Sequence, residues 1–380
     1  MFKSIVSQSS VISILLFLPF IVSVFFAVFG LNMPAMLSTY LVVIFFVIIL
    51  ISVNGRAPIS FLPLPTSLAF IGFLLVFVWF TFFSISTAAS TEKLVLLIYL
   101  ILMPIVLLLM VDYSEIYCRY GQFLKVVKLF SMTILLMYVV FFALGYHESF
   151  VDSGRLYLVG TGNPIWYSRN IIILMFCIVF HDKYFSKISV SSILIIPLGL
   201  YLLAEAGSRT PLISFFVAIA ILYFSGISLN RRVLYGLSAL LSGSLFYYIF
   251  SETRFFDDKL YSMIQRVDLY AESIELLRNN FMGYGIGSFG LLSWGEDVRF
   301  YPHNIFLEVA LEMGVVGFFF FSVLILIGFK SFYKNNLFFY LFLISLVNAQ
   351  LSGDLVGNNY IFIFLFLSVS YKKYFSKLGC

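Results

Sequence analysis

Charge is scarce in this chain. Asp, Glu, Lys and Arg make up 11% of its 380 residues, against about a quarter in an ordinary soluble domain, so a water-facing surface of usual size cannot be assembled from them. Histidine and cysteine number three each. Three His argue against a His-rich metal site. Cys118, Cys177 and Cys380 fall in two cytoplasmic segments and one apolar span of the arrangement described below, which leaves no pair placed for an extracytoplasmic disulfide. No internal repeat of the kind that builds many transporters is present, and the polar loops contain no D-x-D motif.

Apolar residues fill the space that charge leaves. Hydrophobic residues account for 62% of the chain and aromatic ones for 19%, with a mean hydropathy of +1.06. A hydrocarbon core about 30 Å thick takes about 20 apolar helical residues to cross, and runs of that order recur from end to end. They predict twelve spans, at 11–30, 35–53, 67–86, 94–111, 124–145, 165–181, 188–206, 210–227, 232–250, 304–329, 336–352 and 356–371. The first is long for the apolar part of a signal peptide and lacks a small-x-small cleavage site, so it is expected to remain as the first helix.

Lys and Arg orient the spans. With the N-terminus cytoplasmic, that side receives 14 of the 23 basic residues but only Asp112, Glu115 and Asp182 among the acidic ones. The overall charge of +5 therefore reflects membrane topology, with both termini cytoplasmic, and nucleic-acid binding is not expected. The expected organisation is transmembrane helices over 1–250, a large extracytoplasmic loop over 251–303, and further transmembrane helices over 304–380. The fold class is all-α: a polytopic integral membrane protein of about twelve transmembrane helices, with one large extracytoplasmic loop containing an amphipathic helix.

Two extracytoplasmic segments, 146–166 and 251–303, interrupt the apolar pattern, and long ordered loops in compact proteins are usually functional. In the second, Val267, Tyr270, Ala271, Ile274 and Leu277 recur at helical spacing, which predicts an amphipathic helix over 266–280 lying along the membrane surface. It is followed by Gly285-Ile286-Gly287-Ser288-Phe289-Gly290, a literal G-x-G-x-x-G. A dinucleotide site needs a strand before this motif and a βαβ unit around it. Neither pattern is present, so Gly283, Gly285, Gly287 and Gly290 read as positions where the backbone turns with positive φ or approaches a protein or substrate neighbour closely.

After the glycines, Pro302 and Asn304 suit a helix start. Asn304, Glu308 and Glu312 then fall at i, i+4 and i+8, one polar stripe in the first turns of a membrane helix. Carboxylates there are costly unless they face a cavity or a partner, and an interfacial Arg is the structural alternative. His303 beside the stripe has the unperturbed pKa of a general base, although an interfacial His can equally serve one hydrogen bond. Within AEAGSRTPLISFFVAIA, residues 204–220, Glu205 and Arg209 occupy a very short extracytoplasmic hairpin, and Arg209 precedes Thr210-Pro211 and an apolar helix. The cation and the free N–H groups of that helix start would together attract an anion, whereas a snorkelling Arg is the simpler reading. Arg266 opens the amphipathic helix and could supply a second cation. Arg155 and Arg169 flank the Gly-Thr-Gly-Asn-Pro turn of the first loop.

The order of these elements resembles the O-antigen polymerase and ligase family. GSR at 207–209, Arg266, GYGIGSFG at 283–290 and HNIFLEVALEMGVVG at 303–317 carry the resemblance, and GTGNPIWYSRN at 160–170 is similar to the family's Gly-Asn-Pro turn. The resemblance implies a GT-C-like glycosyltransferase on the periplasmic side of the bacterial inner membrane. Such an enzyme attacks the anomeric carbon of an undecaprenyl-diphosphate-linked oligosaccharide with an acceptor hydroxyl. It also implies His303 as base with Glu308 as substitute, Arg209 and Arg266 on the donor diphosphate, and substrate contacts from Arg155, Arg169, Asn304, Glu312, Gly285 and Gly287. No metal or cofactor is implied; the partners are the lipid-linked glycan, membrane lipid and a chain-length regulator protein. A polymerase uses a second lipid-linked repeat unit as acceptor and a ligase the lipid A core. The polymerase is the favoured reading. A transporter for the same lipid is the alternative from another class, and the clustering of polar residues on one face of the membrane disfavours it.

Overall fold

A computed structural model describes residues 62–109, 113, 119–150, 155–158, 163–224 and 259–378. The expected spans at 11–30, 35–53 and 232–250 lie outside the described residues. The described part of each of the other nine overlaps helix. The described elements are α1 (Leu64–Phe82), α2 (Thr87–Leu97), a π-helical turn (Ile98–Leu102), α3 (Met103–Leu109), α4 (Tyr120–Ala143), β1 (His147–Phe150) and β2 (Arg155–Leu158). They continue with α5 (Pro164–Tyr184), α6 (Val190–Ala206), α7 (Arg209–Phe224), α8 (Lys259–Asn279), α9 (Ser288–Trp294), α10 (Ile305–Lys330), α11 (Leu337–Ala349) and α12 (Tyr360–Leu378).

Five stretches of the described residues are long and apolar enough to cross a membrane: Leu64–Phe82, Thr87–Val106, Tyr120–Ala143, Pro164–Tyr184 and Ile305–Lys330. The chain is a polytopic, largely α-helical membrane protein. Among the described residues, α6, α7 and α11 are shorter apolar helices, and α11 has 13 residues. The β1–β2 hairpin was not expected from sequence. It pairs His147 with Leu158 and Phe150 with Arg155 in antiparallel register, inside the expected loop 146–166.

The described helices belong to two compact units. Among the described residues, the first gathers those from 62 to 120 and from 262 to 378, and the second those from 121 to 261. In the first, α1 packs along α10 and α11 along α12. Gly72 on α1 lies under the Phe320 ring of α10, with no room for a Cβ between them, the close approach that small residues permit between membrane helices. Phe73 anchors this core with ring centroids 6.0 Å from Phe321 and 5.6 Å from Phe362. In the second unit α5 packs on α6, with Gly199 against Met175, and on α7. At the turn from α5 to α6, Lys128 Nζ lies 2.5 Å from Asp182, while the Ser189 N–H donates to the other carboxylate oxygen.

Candidate functional site

In the first unit, Asn304 begins α10 as the sequence suggests. Its side-chain oxygen accepts the N–H of Phe306 at 3.0 Å and of Leu307 at 3.2 Å, satisfying donors that a helix start leaves open. Glu308 and Glu312 follow on one face, both buried. Their partner is a lysine, in place of the interfacial Arg named as the structural alternative. Lys93 Nζ of α2, fully buried, lies 2.5 Å from Glu308 Oε1 and 2.7 Å from Glu312 Oε1. The second oxygen of Glu308 accepts the Leu355 N–H at 2.8 Å, so both its oxygens are engaged. Oε2 of Glu312 is buried with no hydrogen-bond partner among the described residues.

Helix α10 is broken at Gly314, where φ is 61° and ψ −165°, a conformation open to glycine. The break frees backbone groups that a membrane helix must satisfy elsewhere, and the glycine-rich segment supplies the partners. Tyr284 N donates to Leu311 O and Gly285 N to Glu312 O, each at 3.0 Å, while Val315 N donates to Phe281 O at 3.1 Å. The segment is held from its other side by the turn between α1 and α2: Ile286 N donates to Phe80 O at 3.1 Å, and Ser84 Oγ to Ile286 O at 2.7 Å. A Cβ on Gly285 would collide with Ser84, and one on Gly287 with Ala89 and Ser90. The close neighbour of these two glycines is the chain itself. The segment runs from α8 into the short helix α9, with no strand beside it among the described residues, which agrees with setting the dinucleotide reading aside.

The segment after α9 is tied to α2 as well. Asp297 accepts the N–H groups of Thr87, Ala88 and Ala89 and the hydroxyl of Ser86, so a carboxylate distant in sequence caps the start of α2. Those amides hold its carboxyl below the usual carboxylate range. Arg299 bridges Glu92 at 2.6 Å and the buried Asp354 at 3.1 Å. None of these partners was visible from sequence.

His303 sits one residue before the cap of α10 with φ at 58°. His is among the few side chains found with any frequency in this region, and such strain is characteristic of functional positions. Its ring meets Tyr301 edge-on at 4.8 Å, and its Nδ1 is buried with no hydrogen-bond partner among the described residues. The Tyr270 hydroxyl on α8 lies within reach of two acceptors, the His303 carbonyl at 3.4 Å and the Gln350 carbonyl at 3.2 Å, linking α8 and the α11–α12 loop to this point. Burial, and then the nearby Arg266 guanidinium, lower the His303 pKa to about 4. His303, Asn304, Arg266 and Tyr270 are thus brought together in the first unit. On α8, Val267 and Ile274 remain exposed while Ser273 is buried, so part of the expected apolar stripe faces outward.

The second unit holds Arg155, Arg169 and Arg209. Gly207, with φ at 60°, ends α6, and Arg209 opens α7 after Ser208, as the hairpin reading requires. Strand β2 carries Arg155 to this turn, its side chain 3.4 Å to 3.6 Å from where a Cβ of Gly207 would lie. Arg169 is buried in α5, 5.6 Å from the Trp166 ring. Asn163 caps that helix, its side-chain oxygen accepting the Trp166 N–H at 2.9 Å, with Pro164 next. This explains the Gly-Asn-Pro turn as a helix start.

The comparison with protein families bears on the same residues. Residues 192–322 match the model of the Wzy_C family, described as O-antigen ligase. The match takes in Arg209, Arg266, the glycine segment, His303, Glu308 and Glu312 and stops short of Lys93. No curated protein matches the chain. Over residues 192–322 the chain is thus similar to the Wzy_C O-antigen ligase domain of the Wzy/WaaL family, a family of multi-pass membrane glycosyltransferase-type enzymes.

Proposed function

We propose that the chain is an O-antigen polymerase, transferring an undecaprenyl-diphosphate-linked glycan onto a second lipid-linked repeat unit at the periplasmic face of the inner membrane. The observation that carries this reading is His303. It holds a strained backbone position at the start of a membrane helix, its Nδ1 buried with no hydrogen-bond partner among the described residues and Arg266 beside it. The acceptor hydroxyl attacks the anomeric carbon and its proton passes to His303. The bond from that carbon to the diphosphate oxygen breaks, and undecaprenyl diphosphate leaves with the bonding pair. Arg266, beside His303, is assigned to the diphosphate, whose developing charge a fixed guanidinium stabilises; the role of Arg209 toward a diphosphate rests on the family resemblance and on its place at the start of α7. Arg155, brought to the Arg209 turn by β2, and Arg169 are assigned to substrate contacts. With both oxygens of Glu308 engaged, that residue serves as an anchor of α10 and stands behind His303 as base. The chain-length regulator belongs to the same proposal.

The family equally includes the ligase reaction onto the lipid A core. A polysaccharide gel of a strain lacking the gene separates the two. A polymerase mutant shows lipid A core bearing a single repeat unit. Core with no repeat unit, and polymer retained on the carrier lipid, would instead assign the ligase.

A further inference from the structure

We propose that Lys93, outside the family-matched region, is a positioning residue that sets the placement of His303. The inference rests on the reading of His303 as base and deepens it.

The break at Gly314 makes Ile305–Met313 a separate helical segment of nine residues, about 13 Å long at 1.5 Å per residue. A continuous membrane helix has its tilt fixed by packing along its whole length. This segment cannot inherit its direction from the rest of α10, so its orientation depends on contacts of its own. The structure provides two sets. The backbone bonds from Tyr284 and Gly285 to Leu311 and Glu312 hold the broken end. Lys93 grips the segment at two points one turn apart, Glu308 and Glu312, on the face toward α2. His303 lies beyond the free end and moves with it. A tilt of about 5° about the broken end carries the far end by roughly 1 Å, and a misplacement of that size can cost about 10²-fold in rate.

The placement of Lys93 is itself over-determined. Asp297 caps the first turn of its helix, Arg299 holds the neighbouring Glu92, and Gly287 packs on Ala89. Each of these partners belongs to the 281–303 segment that ends in His303. Helix α2 therefore acts as the post to which the His303 segment and the start of α10 are both tied, with the Lys93 ammonium as the buried tie. Two buried carboxylates one turn apart on the same helix face require such a cation.

The test uses the full-length protein purified in detergent, with lipid-linked glycan extracted from the host's own membranes as donor and acceptor. Lys93→Arg keeps the charge and changes the geometry, because a planar guanidinium cannot occupy the position of a compact ammonium. It is expected to melt within a few degrees of wild type, to lose about tenfold or more in kcat, and to keep its donor KM. Lys93→Met is expected to lose more. A second readout needs no substrate: the rate at which diethyl pyrocarbonate modifies His303, followed by mass spectrometry of its peptide, should shift about threefold or more in Lys93→Arg. A folded Lys93→Arg enzyme with wild-type kcat and wild-type His303 reactivity overturns the proposal, as does a kcat loss that disappears once rates are scaled to folded protein. Wild-type protein that releases no polyprenyl diphosphate would count against the polymerase reading instead, and the His303 reactivity would still decide the role of Lys93.

Discussion

Gly283 and Gly314 face each other across the break in α10, each occupying the space in which a side chain of the other would stand. Both have positive φ, 95° and 61°. An alanine at Gly314 would meet strain and the Met282 carbonyl together, and a strained non-Gly position costs on the order of 1–3 kcal/mol before any clash. Gly314→Ala is expected to lower the thermal midpoint in detergent and to abolish polymer formation. Gly295→Ala, also at positive φ but in open space, should show the smaller effect of the two. Equal midpoints for both variants would mean the glycine contact does not hold the break.

The buried ion pair yields a second prediction. Removing one partner of such a pair leaves an uncompensated charge and typically costs about 3–5 kcal/mol, whereas removing both is far milder. Lys93→Met alone should therefore destabilise the protein more than Lys93→Met combined with Glu308→Gln and Glu312→Gln. Denaturation midpoints of the purified variants check the order. If the triple variant is the least stable, the carboxylates are not held by Lys93.

Arg209 and Arg266 are expected to behave alike although they belong to different units. Alanine at either position should abolish long chains while the protein still accumulates in the membrane. Lysine should rescue poorly, because a point charge does not reproduce a bidentate fork. Normal chain-length distributions in both alanine variants would remove the diphosphate role.

The proposed topology places 251–303 outside the cytoplasm. Glu296 is exposed, next to Gly295 at the end of α9, whereas the Ser293 hydroxyl is buried. Cysteine at Glu296 should react with an impermeant maleimide in intact spheroplasts. Protection until lysis would invert the arrangement.

Much of this molecule was legible in its sequence because apolar length is a strong and local signal. The described part of every expected span that reaches described residues overlaps helix, and Asn304 caps α10 as its residue type suggests. Contacts between distant segments were not legible. Lys93 is a single lysine at the edge of an apolar run, and its partner Glu308 lies 215 positions away. Asp297 and Arg299 read as ordinary loop charges. The glycine motif signalled tight backbone geometry, but only the broken helix beside it explains why that geometry is needed. The β1–β2 hairpin escaped notice because two four-residue strands show too little alternation to register as a pattern.

The central claim is that His303 takes the acceptor proton, and the pH dependence of transfer tests it most directly. A base works in its neutral form, so kcat/KM should be flat through neutrality and fall as pH drops through the free-enzyme value of about 4. Bound diphosphate favours the protonated imidazole, so the corresponding limb in kcat should lie at higher pH. Purified His303→Gln, assayed with lipid-linked donor, should lose two or more decades of rate, in line with the 10²–10⁴-fold usual for general-base help, with donor binding preserved and the acidic limb gone. A His303→Gln enzyme that retains near-normal rate and the same acidic limb would contradict the account and move the base to Glu308.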